Sequence, residues 1–292
     1  MKQPVISLTR DECLELHSSL RREWLETDGR GGFASSTVLM CPTRRYHGLL
    51  VAAVPGLGRH SFLSRFEESV HGGEGEFRER DFPLSIGRYP AVWHPHGHQG
   101  IQGFELVPWP HARYLIGRVA ISREILMQRG APVVLCRYLA EHPHDELRLR
   151  LRPILTCRPA DTLTVENLAV DPRVERIARG VSVRPYGALP PLQLTVGGVE
   201  PAFEVDPVWY RHLEYQRDLA RGYDGHEDLF SPGWFDLPLP SGQEIVVAAT
   251  VDEAVAEPIE LWHHETTARH RTAKACPEGP RGLLEVTVDD FL

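Results

Sequence analysis

Several things are scarce in this chain of 292 residues, and each scarcity closes off a class of protein. Lysine occurs only at Lys2 and Lys274, so the basic residues are almost all arginine, a bias that carries no functional message by itself. The net charge of -8 and the pI near 6.0 offer no basic stripe for tracking phosphates along a nucleic acid. Neutral ligands such as sugars need no net charge. Cys13, Cys41, Cys136, Cys157 and Cys276 are odd in number and widely spaced, with no C-x-x-C pair, so neither a metal knuckle nor a disulfide framework is written here. Nowhere do the roughly 18 apolar residues of a membrane helix run together. The N-terminal MKQPVISLTRDECLEL has no apolar signal core either. These absences read as a cytoplasmic protein with reduced thiols and with no nucleic-acid or membrane partner.

What is present is enough apolar material, 42% of residues, to bury a large core as one big β domain or two smaller ones. Apolar runs recur at 113–125, 132–140, 146–155, 180–185, 192–196 and 244–252, with Pro and Gly clusters between them. Many strands at short spacing predict antiparallel sheets stacked as a sandwich rather than β-α-β alternation. Two stretches follow a helical period, 207–221 and 258–275, and read as covering helices. The run HGGEGEFRER at 71–80 reads as a polar, Gly-rich loop or hairpin tip.

The segment 23–53 is the densest in signals. Asp28-Gly29 and Gly31-Gly32 supply residues that tolerate positive φ at a tight reversal, 35–40 is rich in β-formers, Cys41-Pro42-Thr43 breaks it, and 44–54 resumes an extended pattern. A hairpin follows. The glycines lack the spacing and the Lys-Ser/Thr of a phosphate loop, and turn geometry is the better reading. Strand alternation from residue 44 puts Arg45 and His47 on one face and Arg44 and Tyr46 on the other, near the rim of a sheet. Such a cluster can meet the carboxylates of a neighbouring domain or the hydroxyls of a sugar; an ordinary intradomain salt bridge is the plainer alternative.

Other candidate chemistry is thinner. His94, His96 and His98 alternate, but Pro95 and Gly97 interrupt any ladder and no carboxylate completes a ligand set, so a loop is expected. Trp262-His263-His264-Glu265 fails the H-E-x-x-H pattern and reads as a solvated helix face. Glu105, Glu227 and Asp228 lie beside aromatic residues that could line a sugar cleft, yet an Asp ahead of a turn usually satisfies backbone amides. Of the six tryptophans, Trp93, Trp109 and Trp234 sit in Pro/Gly-flanked sequence and are the best candidates for stacking on a pyranose ring; burial in the sandwich core is the commoner fate.

Three ordered blocks carry a family resemblance. Trp24, Thr27, Gly29, Gly31, Gly32 and Ala34, followed by Thr43-Arg44-Arg45-Tyr46-His47-Gly48-Leu49-Leu50-Val51-Ala52, form the first. His94-Pro95, Gly97, Phe104, Leu106, Pro108 and Pro110 form the second. Tyr215, Arg217, Gly222, Glu227-Asp228-Leu229-Phe230-Ser231-Pro232-Gly233 and Phe235 form the third. Together they resemble the N-terminal domain of bacterial and archaeal glycogen debranching enzymes. The resemblance implies a mainly β fold: a large antiparallel β-sandwich, of the supersandwich, galactose-mutarotase-like kind, with a few short covering helices.

It also implies a parent activity, the hydrolysis of α-1,6-linked branch glucose (amylo-α-1,6-glucosidase, a glycoside hydrolase), whose acid and base belong to a C-terminal (α/α)6 barrel. Residues 1–280 are then the N-terminal sandwich and 281–292 the start of a linker into the barrel. LLEVTVDDFL at 283–292, apolar to its last residue, fits such a boundary, although it could also pin a strand. No catalytic residue, metal or organic cofactor is expected in this chain. The expected partners are the barrel of the same polypeptide and glycogen or another α-glucan. Arg44, Arg45, Tyr46, His47, Trp93, Trp109, Glu227, Asp228 and Trp234 are the candidate substrate-binding or interface residues. Two alternatives stay open: a free-standing carbohydrate-binding module for α-glucans, and a mutarotase-like sugar enzyme using a His and a Glu as base and acid, for which the sequence offers no paired motif and His47 and Glu227 are the residues to mutate.

Overall fold

The computed structural model describes residues 6–72, 80–106, 108–144 and 146–275. In chain order the strands are β1 (Ile6–Thr9), β2 (Glu23–Thr27), β3 (Phe33–Thr37), β4 (Gly48–Val54), β5 (Gly58–Gly72), β6 (Phe82–Pro83), β7 (Ile86–Tyr89), β8 (Val92–His96), β9 (Ile101–Leu106), β10 (Pro110–Ile116), β11 (Val119–Met127), β12 (Val133–Glu141), β13 (Leu147–Pro159), β14 (Val174–Ile177), β15 (Gly180–Val183), β16 (Leu192–Gly197), β17 (Ala202–Glu214), β18 (His226–Pro238) and β19 (Glu244–Thr250). Helices lie at Arg10–Leu14, Leu16–Ser19, Gln216–Leu219 and Pro258–Ala275. The apolar run at 283–292, Cys276 and most of the 71–80 segment lie outside the described residues.

Two sheets face each other. One follows the order β1-β9-β10-β11-β12-β19-β16-β15-β14, the other β17-β18-β13-β5-β4-β3-β2 with β6 on β5, and β7 and β8 form a small hairpin beside them. All these described pairings are antiparallel. The expected antiparallel sandwich is what the chain forms. In β13 the alternation is plain: Leu147, Leu149 and Leu151 are buried while Arg148, Arg150 and Arg152 face outward. A one-residue slip of register would turn three arginines into the core, so the pairing with β5 and β18 is strongly specified. One continuous core gathers Phe62, Leu63 and Phe235 from one sheet and Tyr114, Ile121, Tyr138 and Leu194 from the other.

A polar cluster crosses that core. Glu68 of β5 accepts hydrogen bonds from Arg123 of β11, from the Tyr138 hydroxyl of β12 at 2.7 Å and from Ser85 Oγ at 3.3 Å. Arg123 Nη2 also donates to the Tyr114 hydroxyl at 2.6 Å. All these side chains are buried, and burial pushes the Tyr114 hydroxyl up to about 12. A charge inside a sandwich is tolerated only when its lone pairs and protons are satisfied, and here Glu68, Tyr114, Arg123 and Tyr138 sit on four different strands of the two sheets. The cluster therefore fixes one sheet against the other.

The stretch 258–275 is the helix expected. It covers the outer face of the larger sheet, packing Trp262 with Trp109, Leu126, Leu135 and Val246 in a second core. Its Arg269 pairs with Glu26 of β2 at 2.6 Å and donates to the Met127 carbonyl at 2.7 Å. The solvated-face reading of 262–265 holds for His263 and His264, whereas Trp262 and Glu265 are buried.

The stretch 207–221 corrects the expectation: it is mostly β17, and only Gln216–Leu219 is helical. Register shifts between Val205 and Val208 and between Tyr210 and Leu213 each insert one residue into the strand, and this spacing imitates a helical period. As an edge strand β17 protects itself with those bulges, with Pro207 and with exposed charges at Glu204, Asp206 and Arg211.

All four described cysteines are buried and free. Burial raises the thiols of Cys13 and Cys41 to about 11 and that of Cys157 to about 12, which leaves them protonated and unreactive at neutral pH.

Glu68→Ala is expected to cost about 3–5 kcal/mol, because it strands the Arg123 charge in the core. Urea unfolding measures this directly, and an unchanged midpoint would show that the cluster does not join the sheets.

Candidate functional site

The first and third sequence blocks meet at one end of the sandwich. Residues 44–47 are a turn rather than the start of a strand, which corrects the alternation expected for Arg44, Arg45, Tyr46 and His47. Tertiary hydrogen bonds override strand propensity there. The His47 amide donates to the Arg44 carbonyl at 3.0 Å and the Thr43 amide donates to His47 Nδ1 at 3.1 Å. The Arg45 amide donates to Asp218 Oδ2 at 2.8 Å, and the Arg217 amide donates to the Thr43 carbonyl at 2.9 Å. The Arg45 guanidinium reaches the carbonyls of Asp161 at 3.2 Å and Asp224 at 2.7 Å and lies over the Tyr223 ring. Arg45 thus stitches three loops together.

The two acids of the third block are both fully engaged within the chain. Glu227 is completely buried; it takes both arms of Arg158, the Tyr215 hydroxyl, and the Thr164 amide at 3.0 Å. Arg158 spends its remaining donors on the carbonyls of Arg45 at 3.0 Å, Pro159 at 3.1 Å and Ala160 at 3.3 Å. Burial, with Glu227 beside it, holds the Tyr215 hydroxyl well above its usual range. Asp228 receives the backbone amides of His212 at 2.8 Å and Glu166 at 2.9 Å, the amide-satisfying role that an Asp in turn sequence commonly takes. Glu105 pairs on the sheet surface with Arg113 at 2.9 Å.

His47 and Glu227 make no common contact. With Nδ1 accepting from Thr43, the His47 ring carries its proton on Nε2, which faces Glu23 Oε2 at 3.7 Å from a buried position. Arg44 Nε donates to the other oxygen of Glu23 at 2.8 Å. His47 and then Arg44 draw the Glu23 carboxyl down from 4.5 to about 2.

The three tryptophans have three different settings. Trp109 lies in the bend before β10 but is buried, donating to Glu124 at 2.8 Å and meeting Trp262 edge-on at 5.8 Å. Trp234 lies in β18 rather than in a loop, with the guanidinium groups of Arg152 and Arg150 at 4.5 and 5.3 Å from its ring. Trp93, in β8, lines an open cleft of ≈ 340 Å³ with Thr43, Gln216, Arg217 and Ala220 and with residues of the helix Leu16–Ser19 and the turn after it. The second block supports this placement: a side chain on Gly97 would collide with the backbone of Leu84 and Ser85, so β8 folds close against it. Tyr46 is exposed. Among the described residues no group of three or more His, Cys, Asp or Glu side chains is arranged to hold a metal ion.

Arg158 and Asp218, which hold this end together, carry no mark in the sequence. Each belongs to an unremarkable run, PILTCRP and YQRDLAR, and only their partners across the fold reveal them. The charged-aromatic character of 44–47 and the acids of 227–228 were the available signals.

A carboxyl whose folded pKa lies below its unfolded value contributes stability above the unfolded value and loses it as pH falls through the folded one. Glu23 therefore makes stability fall between about pH 4.5 and 2. In urea titrations over that window Glu23→Gln should show the shallower slope; parallel slopes for the two proteins would contradict the contact.

Among known families, the model described as glycogen debranching enzyme N terminal matches residues 22–246. Among solved structures, a bacterial glucoamylase complexed with acarbose is similar at 8% identity and a TM-score of 0.37, over 99% of this chain and 36% of that one. A family GH92 α-mannosidase from Bacteroides thetaiotaomicron is similar at 8% identity and a TM-score of 0.18, over 92% and 34%. The chain spans about a third of the length of both proteins. No curated protein matches it. With well over half of its residues matched in order, the chain belongs to the glycogen debranching enzyme N-terminal family.

Proposed function

We propose that this chain is the non-catalytic N-terminal domain of a glycogen debranching enzyme, packing on a C-terminal helical barrel and helping to shape its glucan cleft. The observation that carries this reading is the state of Glu227. Glycosidic cleavage needs one carboxyl that can give a proton and a second that can activate water or attack the sugar. Glu227 is closed off from solvent and accepts four donor groups of its own chain. Asp228 is committed to two backbone amides. Neither is placed to exchange a proton with a substrate.

The surface around this end supports a packing role. Tyr46, Tyr223, Val165 and Leu168 are exposed at 49%, 61%, 67% and 105% on segments that Arg45, Glu227 and Asp228 hold in place. Rigidly held apolar side chains left in water are the material of an interface. On this reading the chemistry of the parent, hydrolysis of α-1,6-glucosidic branch points in a cytoplasmic enzyme of carbohydrate metabolism, belongs to the barrel. The domain's own partners are that barrel and, along the shared cleft, glycogen or another α-glucan.

A second reading, a free-standing α-glucan-binding module, is favoured by Trp93 on its open cleft. Calorimetry separates the two: the module gives heat with maltotetraose, the packing domain none.

The purified chain is expected to release no glucose from a branched α-limit dextrin. Glucose release that disappears in Glu227→Gln while the variant stays folded would overturn the reading.

A further inference from the structure

The cleft beside Trp93 has a chemistry that the packing role does not use. Leu16, Leu20 and Trp93 supply apolar surface, and His17, Arg21 and Arg217 supply positive or protonatable groups. Among the described residues no carboxylate lines it. That is unusual in this chain, where acids outnumber Lys and Arg by 40 to 32 and each fully buried arginine, Arg65, Arg123, Arg158 and Arg269, faces an acid. Arg217 is half-buried, and its Nε is sealed from solvent without a hydrogen-bond partner. A ligand in the cleft therefore meets the outer edge of this guanidinium, its Nη groups, rather than Nε.

The indole is held ready. Arg88 lies over the Trp93 ring at 5.0 Å and is itself anchored by Glu214 at 2.9 Å. The part of the ring that Arg88 and the core leave bare borders the cleft and gives a pyranose apolar surface to pack on, and planar guanidinium forks match phosphate oxygens. The volume, ≈ 340 Å³, lies within the range of small-molecule sites.

We propose that this cleft binds an anionic sugar of the hexose-phosphate class, with the sugar ring against Trp93 and the phosphate on Arg21 and Arg217. A neutral glucan would bring no counter-charge to the half-buried Arg217 or to the exposed Arg21 beside it. Inorganic phosphate would leave the indole unused. The proposal does not rest on the packing role, because it is read by binding rather than by glucose release.

Isothermal titration of the whole chain with glucose 1-phosphate, glucose 6-phosphate, inorganic phosphate, glucose and maltotetraose tests it. One of the hexose phosphates is expected to bind at least about tenfold tighter than inorganic phosphate or glucose, and more weakly as salt is raised. Arg217→Gln and Arg21→Gln should each weaken that binding about tenfold. Among the described residues neither arginine side chain makes an ion pair, so both variants should keep the wild-type thermal midpoint, which separates lost binding from lost folding. Absence of heat with both hexose phosphates overturns the proposal. So does tighter binding of maltotetraose that ignores Arg217→Gln, which would make the cleft a neutral-glucan site.

Discussion

The buried charge of Glu227 is the constraint on which this end of the molecule depends. An ionised carboxylate out of water is affordable only when strong donors surround it, and its donors come from three places: Arg158 on β13, Tyr215 ahead of a short helix and Thr164 in the long loop after β13; Arg158 in turn donates to the carbonyl of Arg45 and so ties in that turn. The strands that carry Arg158 and Glu227 are neighbours in the sheet. Their pairing brings the charges together, and the charges in turn decide where the loops settle. Tyr46, Tyr223 and the cleft wall at Gln216 and Arg217 take their positions from this arrangement.

The same device appears twice more, at Glu68 between the sheets and at Glu26 beneath the helix Pro258–Ala275. In each case the cation is an arginine that serves more than one acceptor: Arg123 reaches Glu68 and Tyr114, Arg269 reaches Glu26 and the Met127 carbonyl, Arg158 reaches Glu227 and three carbonyls. A lysine ammonium is a compact point charge without this planar fork and could not span such partners in one geometry. The arginine bias, silent in the sequence, thus has a structural use at the three buried pairs that organise the fold.

The sandwich was legible in the sequence because alternation is a local signal, and β13 shows it without interruption. The long helix was legible for the same reason. β17 was not, because its two bulges move the apolar residues to a spacing that resembles a helix. The turn at 44–47 was read as strand, since its real partners, Asp218, Asp161 and Asp224, lie more than a hundred residues away. The sequence marked Glu227 and Asp228 as acids among aromatics, and the turn chemistry of Asp228 could be anticipated. The saturation of Glu227 could not, because Arg158 becomes its neighbour only when β13 and β18 pair. For the tryptophans the sequence offered flanking Pro and Gly alone, and that signal did not distinguish the buried ring of Trp109 from Trp93 and Trp234, each partly exposed under an arginine, of which Trp93 borders the cleft.

A structural acid and a catalytic acid respond in opposite ways to removal. Replacing a catalytic carboxyl held in an unfavourable setting commonly leaves a protein as stable or more so, whereas removing one partner of a satisfied buried pair exposes the other to an uncompensated interior. The most direct measurement is therefore the unfolding free energy of Glu227→Gln against the wild type at neutral pH. A loss of about 3–5 kcal/mol is the result this account predicts. An unchanged or increased stability would contradict it and return Glu227 to the list of acids available for chemistry.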